Sequence, residues 1–172
     1  MEEYKVTLWK MLKPNIGIML SLLFFLCFMG LIMLSSFSQN GYIPDLTIIV
    51  TIVVVIVFGG PGFILHLNYY KEDQKKKLIV DFNDKLITVC KDGLEKRFHF
   101  DEIARVEKTG MVPSRSYKYS TTAPWRYFYF YKVVLLDKSF IILTRFLVED
   151  FEKMVPNVSF YSMQENFPLV KK

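Results

Sequence analysis

Two runs without a single charged residue, 16–34 and 46–65, constrain this chain more than any other feature in it. The first is 19 residues long and the second 20. At about 1.5 Å of rise per residue, each matches the hydrocarbon thickness of a bilayer, where only a helix satisfies its own backbone bonds. The spacing predicts two transmembrane helices, over 14–36 and 46–70. Pro14 suits a first helical turn, where a missing N–H costs nothing. The link SSFSQNGYIPD is short and carries Gly41, Pro44 and Asp45, which makes the pair an antiparallel hairpin.

Basic residues set the orientation. Lys5, Lys10 and Lys13 precede the first run, Lys71, Lys75, Lys76 and Lys77 follow the second, and none lies between. Both termini are therefore expected in the cytoplasm, with 1–13 a cytoplasmic segment and 71–77 a basic junction. Trp9, Tyr42, Tyr69 and Tyr70 fall where interfacial aromatics belong. The rival reading is a cleaved signal peptide with Ser36-x-Ser38 as its site, but the apolar run exceeds a usual h-region.

Charge divides at the junction. Residues 1–70 hold three lysines and three acidic residues, so the formal net charge of +5 belongs wholly to the remainder. Beside a bilayer, the nearest partner for that charge is the anionic leaflet, which ranks nucleic acid well behind it. Within the junction itself the lysines exceed the acids by two, enough to fix topology and height rather than to select a lipid. Cys27 and Cys90 form no C-x-x-C or even framework, so no structural disulfide is expected.

In the second span Gly59-Gly60-Pro61-Gly62 predicts a kink, since Pro61 removes the bond to the carbonyl of Val57, together with close helix packing. A hinge or ion site is the sharper alternative. The lack of any charged residue in either run favours packing. His66, at the cytoplasmic end, reads as interfacial.

After the junction the pattern switches to short β-type runs at 78–82, 86–91, 94–100, 103–108, 127–136 and 139–145. Asn83-Asp84, Asp92-Gly93 and Asp137-Lys138 supply turns, with Asp-Gly the strongest hairpin signal. In the fifth run Tyr127, Tyr129, Tyr131, Val133 and Leu135 share one face, expected to point inward. Helical spacing returns over 147–155, with Leu147, Phe151 and Met154 on one side. A curved antiparallel sheet or partly open barrel of about six strands, closed by one helix, fits this order over 78–155. The tail 156–172 either adds a strand or hangs free.

The order KLIVDFNDKLITVCKDGLEKRFHFDEIARVE, then YFYFYKVVLLDKSFIILTRFLVEDFEKM, resembles the bacterial pleckstrin-homology-like domains found behind one or two transmembrane helices. The likeness rests on Asp81 before a tight turn, on Phe98-x-Phe100-Asp101-Glu102-Ile103 leading into Val106, and on the hairpin-plus-helix pattern over 133–154. It implies a strongly bent sheet, a binding or scaffolding role and a bacterial inner membrane. It does not imply phosphoinositide binding, because residues 83–85 carry no counterpart of the basic loop of classical members.

The insertion TGMVPSRSYKYSTTAPWR carries Arg115, Lys118, Trp125 and Arg126 with Tyr117 and Tyr119 and no acid. Loops of that length tend to be functional or unstructured. The functional reading has its cations meet lipid phosphates or an acidic partner; the plainer one has its tyrosines cover the sheet.

Catalysis fails on inventory. His66 and His99 lack metal-ligand partners, Asp101 and Glu102 point to opposite faces of an extended segment and better suit surface lysines, and Ser114 and Ser116 lack a local base. No cofactor is implied. The expectation is a non-enzymatic two-pass membrane protein presenting a β domain to a protein partner, to itself or to anionic headgroups. The alternative is a pore or transporter subunit built from several hairpins.

Overall fold

The structure is a computed structural model that describes residues 1–13, 16–110, 127–165 and 167–170, without the side chains of Ile18 and Phe58. A short strand β1 (Glu2–Lys5) and a helix α1 (Leu8–Leu12) precede two long helices, α2 (Ile16–Asn40) and α3 (Asp45–Asp73). Both long helices are apolar enough to cross a bilayer, with mean hydropathies of 2.3 over Met19–Asn40 and 2.7 over Asp45–Asp73. Gly41, at φ +72°, follows α2 directly.

The strands that follow are β2 (Lys76–Asp81), β3 (Leu86–Lys91), β4 (Leu94–His99), β5 (Ile103–Gly110), β6 (Tyr129–Leu135) and β7 (Phe140–Thr144). A single helical turn, α4 (Phe151–Met154), leads to β8 (Phe160–Gln164). They build two four-stranded sheets, β1-β2-β3-β4 and β7-β6-β5-β8. Asp92 and Gly93 take positive φ at the β3–β4 turn, as Asp-Gly hairpin chemistry requires.

Two features depart from the sequence reading. Instead of a separate leading segment, β1 pairs antiparallel with β2, Lys5 opposite Lys77, so the chain ahead of the long helices is an edge strand of the first sheet. The closing helix shrinks to α4, because Leu147 and Val148 reach the core through a turn that bonds back to the Thr144 carbonyl. Part of the tail becomes β8, one of the two outcomes expected of it and the one parallel partner in an otherwise antiparallel ladder. Asp101 and Glu102 also differ from expectation: they sit in a 3-10 turn whose start Glu102 caps, accepting the His99 N–H at 2.9 Å.

The main core lies between the sheets, where Leu78, Val80, Ile87 and Phe98 meet Val106, Tyr131, Val133 and Leu143. Tyr129, Tyr131, Val133 and Leu135 do face it, whereas Tyr127, ahead of β6, is exposed. The even side is buried as well: Phe128 and Phe130 join Ile142 and Phe146 in a second cluster around Leu65 and Tyr69 of α3. Helix α3 thus runs in one piece from the charge-free run onto the outer face of the second sheet.

Its direction there can be followed contact by contact. Asp73 meets Thr144, Tyr69 meets Phe130 and Phe128, and His66 meets Phe146. The end of the sheet bearing Phe146, Tyr129 and Gly110 therefore points toward the apolar part of α3.

Candidate functional site

At the root of α3 a buried ionic cluster fixes helix to sheet. Lys76 Nζ donates to Glu72 Oε1 at 2.6 Å, Asp73 Oδ1 at 3.0 Å and the Ile142 carbonyl at 2.5 Å, and Asp73 Oδ2 accepts the Thr144 N–H at 2.9 Å. Every donor of the ammonium is used. The expectation that Lys76 meets headgroups is corrected here: its side chain is 3% exposed. Its strand explains why, since Lys76 shares the inward parity of Leu78 and Val80.

The other junction lysines remain at the surface. Lys71 is exposed, Lys75 pairs with Asp92 at 3.0 Å, and Lys77 pairs with Glu3 of β1 at 2.9 Å. Arg115, Lys118, Trp125 and Arg126 lie outside the described residues, but the strand ends flanking them, Gly110 and Tyr129, are opposite one another at the helix-facing end of the second sheet.

Within α3, Pro61 is accommodated and the helix continues to Asp73. A Cβ on Gly59 would stand 3.4 Å from Leu22 Cδ1 of α2, whereas one on Gly60 would meet nothing within 4 Å. Gly62 is buried. Gly59, Gly60 and Gly62 line an apolar cavity of about 610 Å³ between the helices, with His66 at one end. Of the three, Gly59 stands against α2 while Gly60 faces open space, and among the described residues no charged side chain lines the cavity.

A cluster that sequence spacing did not reveal sits where α1 meets the helix-facing end of the second sheet. Lys13, the C-cap of α1, donates to both carboxylate oxygens of Glu149 at 3.0 Å. Lys10 donates to the Leu147 carbonyl at 2.9 Å, and burial pushes its ammonium below the ordinary lysine range. Arg145 lies over the rings of Tyr127 and Tyr129, 5.6 and 5.5 Å from their centroids, and gives Nη1 to the Tyr127 carbonyl at 2.7 Å. Its Nη2 stands 3.9 Å from Glu149, beyond hydrogen-bond reach.

The hydroxyls of Tyr129 and Tyr131 both donate to the backbone carbonyl of Glu149, at 2.6 and 3.0 Å, which fixes where its side chain starts. Burial pushes the Tyr129 phenol up to about 12, so it stays a donor at neutral pH. Lys108 covers the rings of Tyr129 and Tyr131 and pairs with Glu152. Asp150 is held below the usual carboxylate range by Lys153.

Arg145 Nε is buried and has no hydrogen-bond partner among the described residues. Such an orphan donor costs about 1–3 kcal/mol. No local motif announces this cluster, because Lys13 and Glu149 are 136 positions apart. The chemistry on offer is anion binding; among the described residues no metal-ligating cluster of His, Cys, Asp and Glu occurs.

Two four-stranded sheets, one antiparallel and one mixed, packed around one core are the architecture of a PH-like β domain. The sequence model of the PH domain family matches residues 3–152, and the chain belongs to that family. The matched range begins inside β1 and ends inside α4, so it takes in the two long helices as well as the strands. PH domains are in general non-catalytic modules that commonly bind lipids or proteins. Neither a curated protein nor a solved structure matches the chain.

Proposed function

We propose that this protein is a non-enzymatic membrane-anchored scaffold, in which α2 and α3 span a bilayer, both termini lie in the cytoplasm, and the PH domain is held against the membrane surface for a protein partner or anionic headgroups. The observation that carries this reading is the unbroken passage of α3 from the charge-free run into the second sheet, where Tyr69 and Asp73 fix it. A flexible tether would let the domain roam. A continuous helix with an ionic lock sets both its height and its facing.

The arrangement of segments supports the same reading. Both ends of the long insertion and the lysines of α1 lie at the end of the domain nearest the apolar helices, where anionic lipid would attract cations by about 1 kcal/mol each. The absence of charge in residues 16–34 and 46–65 argues against a pore pathway.

Membrane fractionation with alkaline carbonate, combined with topology reporters behind Asn40 and behind Lys172, tests the proposal. The protein should stay in the pellet, with the Lys172 reporter active in the cytoplasm and the Asn40 reporter outside it. Release by carbonate, or a Lys172 reporter active outside the cell, overturns it.

A further inference from the structure

We infer that Lys13 and Arg145 form a binding site for a phosphate group at the head of α2, with the phosphodiester of an anionic glycerophospholipid as its ligand and Glu149 holding the place while the site is empty. The inference deepens the proposed function and rests on it for the ligand's source.

Three observations converge. First, the cations come from unrelated parts of the chain, Lys10 and Lys13 from α1 and Arg145 from the end of β7, yet all contact the 147–149 segment. Against them stands Glu149 alone, because Asp150 and Glu152 are taken by Lys153 and Lys108. Two positive charges remain in excess.

Second, Arg145 is held ready without being satisfied. Its plane is positioned by Tyr127 and Tyr129, one nitrogen is committed to a backbone carbonyl, Nη2 is too far from Glu149 to bond, and Nε has no acceptor among the described residues. A guanidinium in that condition suits an oxyanion with several oxygens, which accepts from two of its nitrogens at once. Glu149 hydrogen-bonds Lys13 with both oxygens and stands 3.9 Å from Arg145 Nη2, so it bonds one cation and leaves the other without a hydrogen bond from it.

Third, the placement selects the ligand. Lys13 is the last described residue before α2 begins at Ile16, so a group bound between Lys13 and Arg145 lies level with the point where the first span would leave the bilayer. Phospholipid phosphates occupy that level. The site is also distinct from the turn at 82–85, which carries only Lys85 as a cation.

The test uses the full chain in detergent micelles, titrated with dioctanoyl phosphatidylglycerol, with inorganic phosphate in a separate arm, and read by the rise in unfolding temperature. Phosphatidylglycerol should stabilise the protein. Arg145→Gln and Lys13→Gln should weaken that binding on the order of tenfold each, as loss of a charge-assisted bond requires.

Glu149→Gln removes the competing carboxylate and should tighten binding, an opposite sign that a merely destabilised variant would not produce. Inorganic phosphate that binds with the same three mutational responses supports the site with a soluble source. Phosphatidylglycerol affinity unchanged by both Arg145→Gln and Glu149→Gln overturns the inference. Because the titration needs no bilayer, such a failure leaves the fractionation result untouched, and a carbonate-released protein would refute the spans without altering the titration.

Discussion

Asp73 Oδ2 accepts the backbone N–H of Thr144 at 2.9 Å while its other oxygen accepts Lys76, so one buried carboxylate ties the last turn of α3 to the edge of the second sheet. The outer edge of β7 would otherwise expose that N–H and the Ile142 carbonyl, the template on which stray strands pair. Side chains from the α3–β2 connection close both positions.

Removing Asp73 leaves the buried ammonium of Lys76 with less compensation and the Thr144 N–H without an acceptor. Asp73→Ala should therefore destabilise the full-length protein by about 3–5 kcal/mol, the cost of breaking a buried pair from one side. The double variant Asp73→Leu/Lys76→Met should lose less than the single, since the buried ammonium goes with its partner and Glu72 keeps Lys91 at 3.1 Å. Denaturant unfolding in detergent checks both, and a double variant worse than Asp73→Ala would refute the account.

The tail offers a second measurement. Asn68 pairs with the backbone of Val170 through both ends of its amide, accepting the N–H at 2.9 Å and donating to the carbonyl at 3.3 Å, and Tyr69 OH donates to the Pro168 carbonyl at 2.9 Å. Two residues of α3 thus read the backbone of one extended segment. Tyr69→Phe should cost about 1 kcal/mol, one net hydrogen bond, whereas Tyr69→Ala should cost about 3–5 kcal/mol because the ring packs among Phe128, Phe130 and Phe146. Asn68→Ala should speed amide exchange at Leu169 and Val170 with no change in β6. Equal protection in wild type and variant would show that the amide does not hold the tail.

How much of this was legible follows from where the signals lie. The strands from β2 to β7 announce themselves by local turn chemistry and alternation, and their bounds fall within three residues of the sequence reading. Strand β1, EEYK, has no such signal: its reason for being extended is a partner strand more than 70 positions later. Lys76 was misplaced because a lysine run reads as solvated, although stepping back by twos from Val80 and Leu78 already turns it inward. Over 147–155 the apolar spacing is real and every predicted core residue is buried, but a turn anchored on Thr144 delivers Leu147 and Val148 more directly than a helix would. The Lys13–Arg145–Glu149 cluster is assembled by topology alone, so no window of sequence contains it.

Neighbouring glycines of α3 should behave in opposite ways. A Cβ at position 59 already touches Leu22 Cδ1 at 3.4 Å, so Gly59→Leu drives a branched side chain into α2 and should cost about 1–3 kcal/mol through overpacking. Gly60→Ala meets open space and should fall within about 0.5 kcal/mol of wild type. Thermal unfolding of the two variants in the same detergent separates them. Equal behaviour would mean that the two helices do not approach at Gly59.

Acid sensitivity should come in part from Glu107. Its carboxylate is held below the ordinary value of 4.5, first by the hydrogen bond from Arg105 Nε at 2.7 Å and further by Lys132 across the β5–β6 ladder, against an opposing effect of burial. A carboxylate with a lower pKa in the folded state binds fewer protons there than in the unfolded state. Its contribution is therefore complete above the unfolded value near 4.5 and is lost as pH falls through the folded one. The Glu107 contribution to the unfolding free energy should be level from about pH 7 to pH 5 and fall below that. Glu107→Gln should flatten the acid limb, leaving the part due to the other lowered carboxylates, among them Asp150 and Asp137, which are depressed by Lys153 and by Ser139 respectively. Denaturant titrations at about pH 7 and pH 3.5 measure the difference, and a variant whose acid loss equals that of wild type would remove Glu107 from the account.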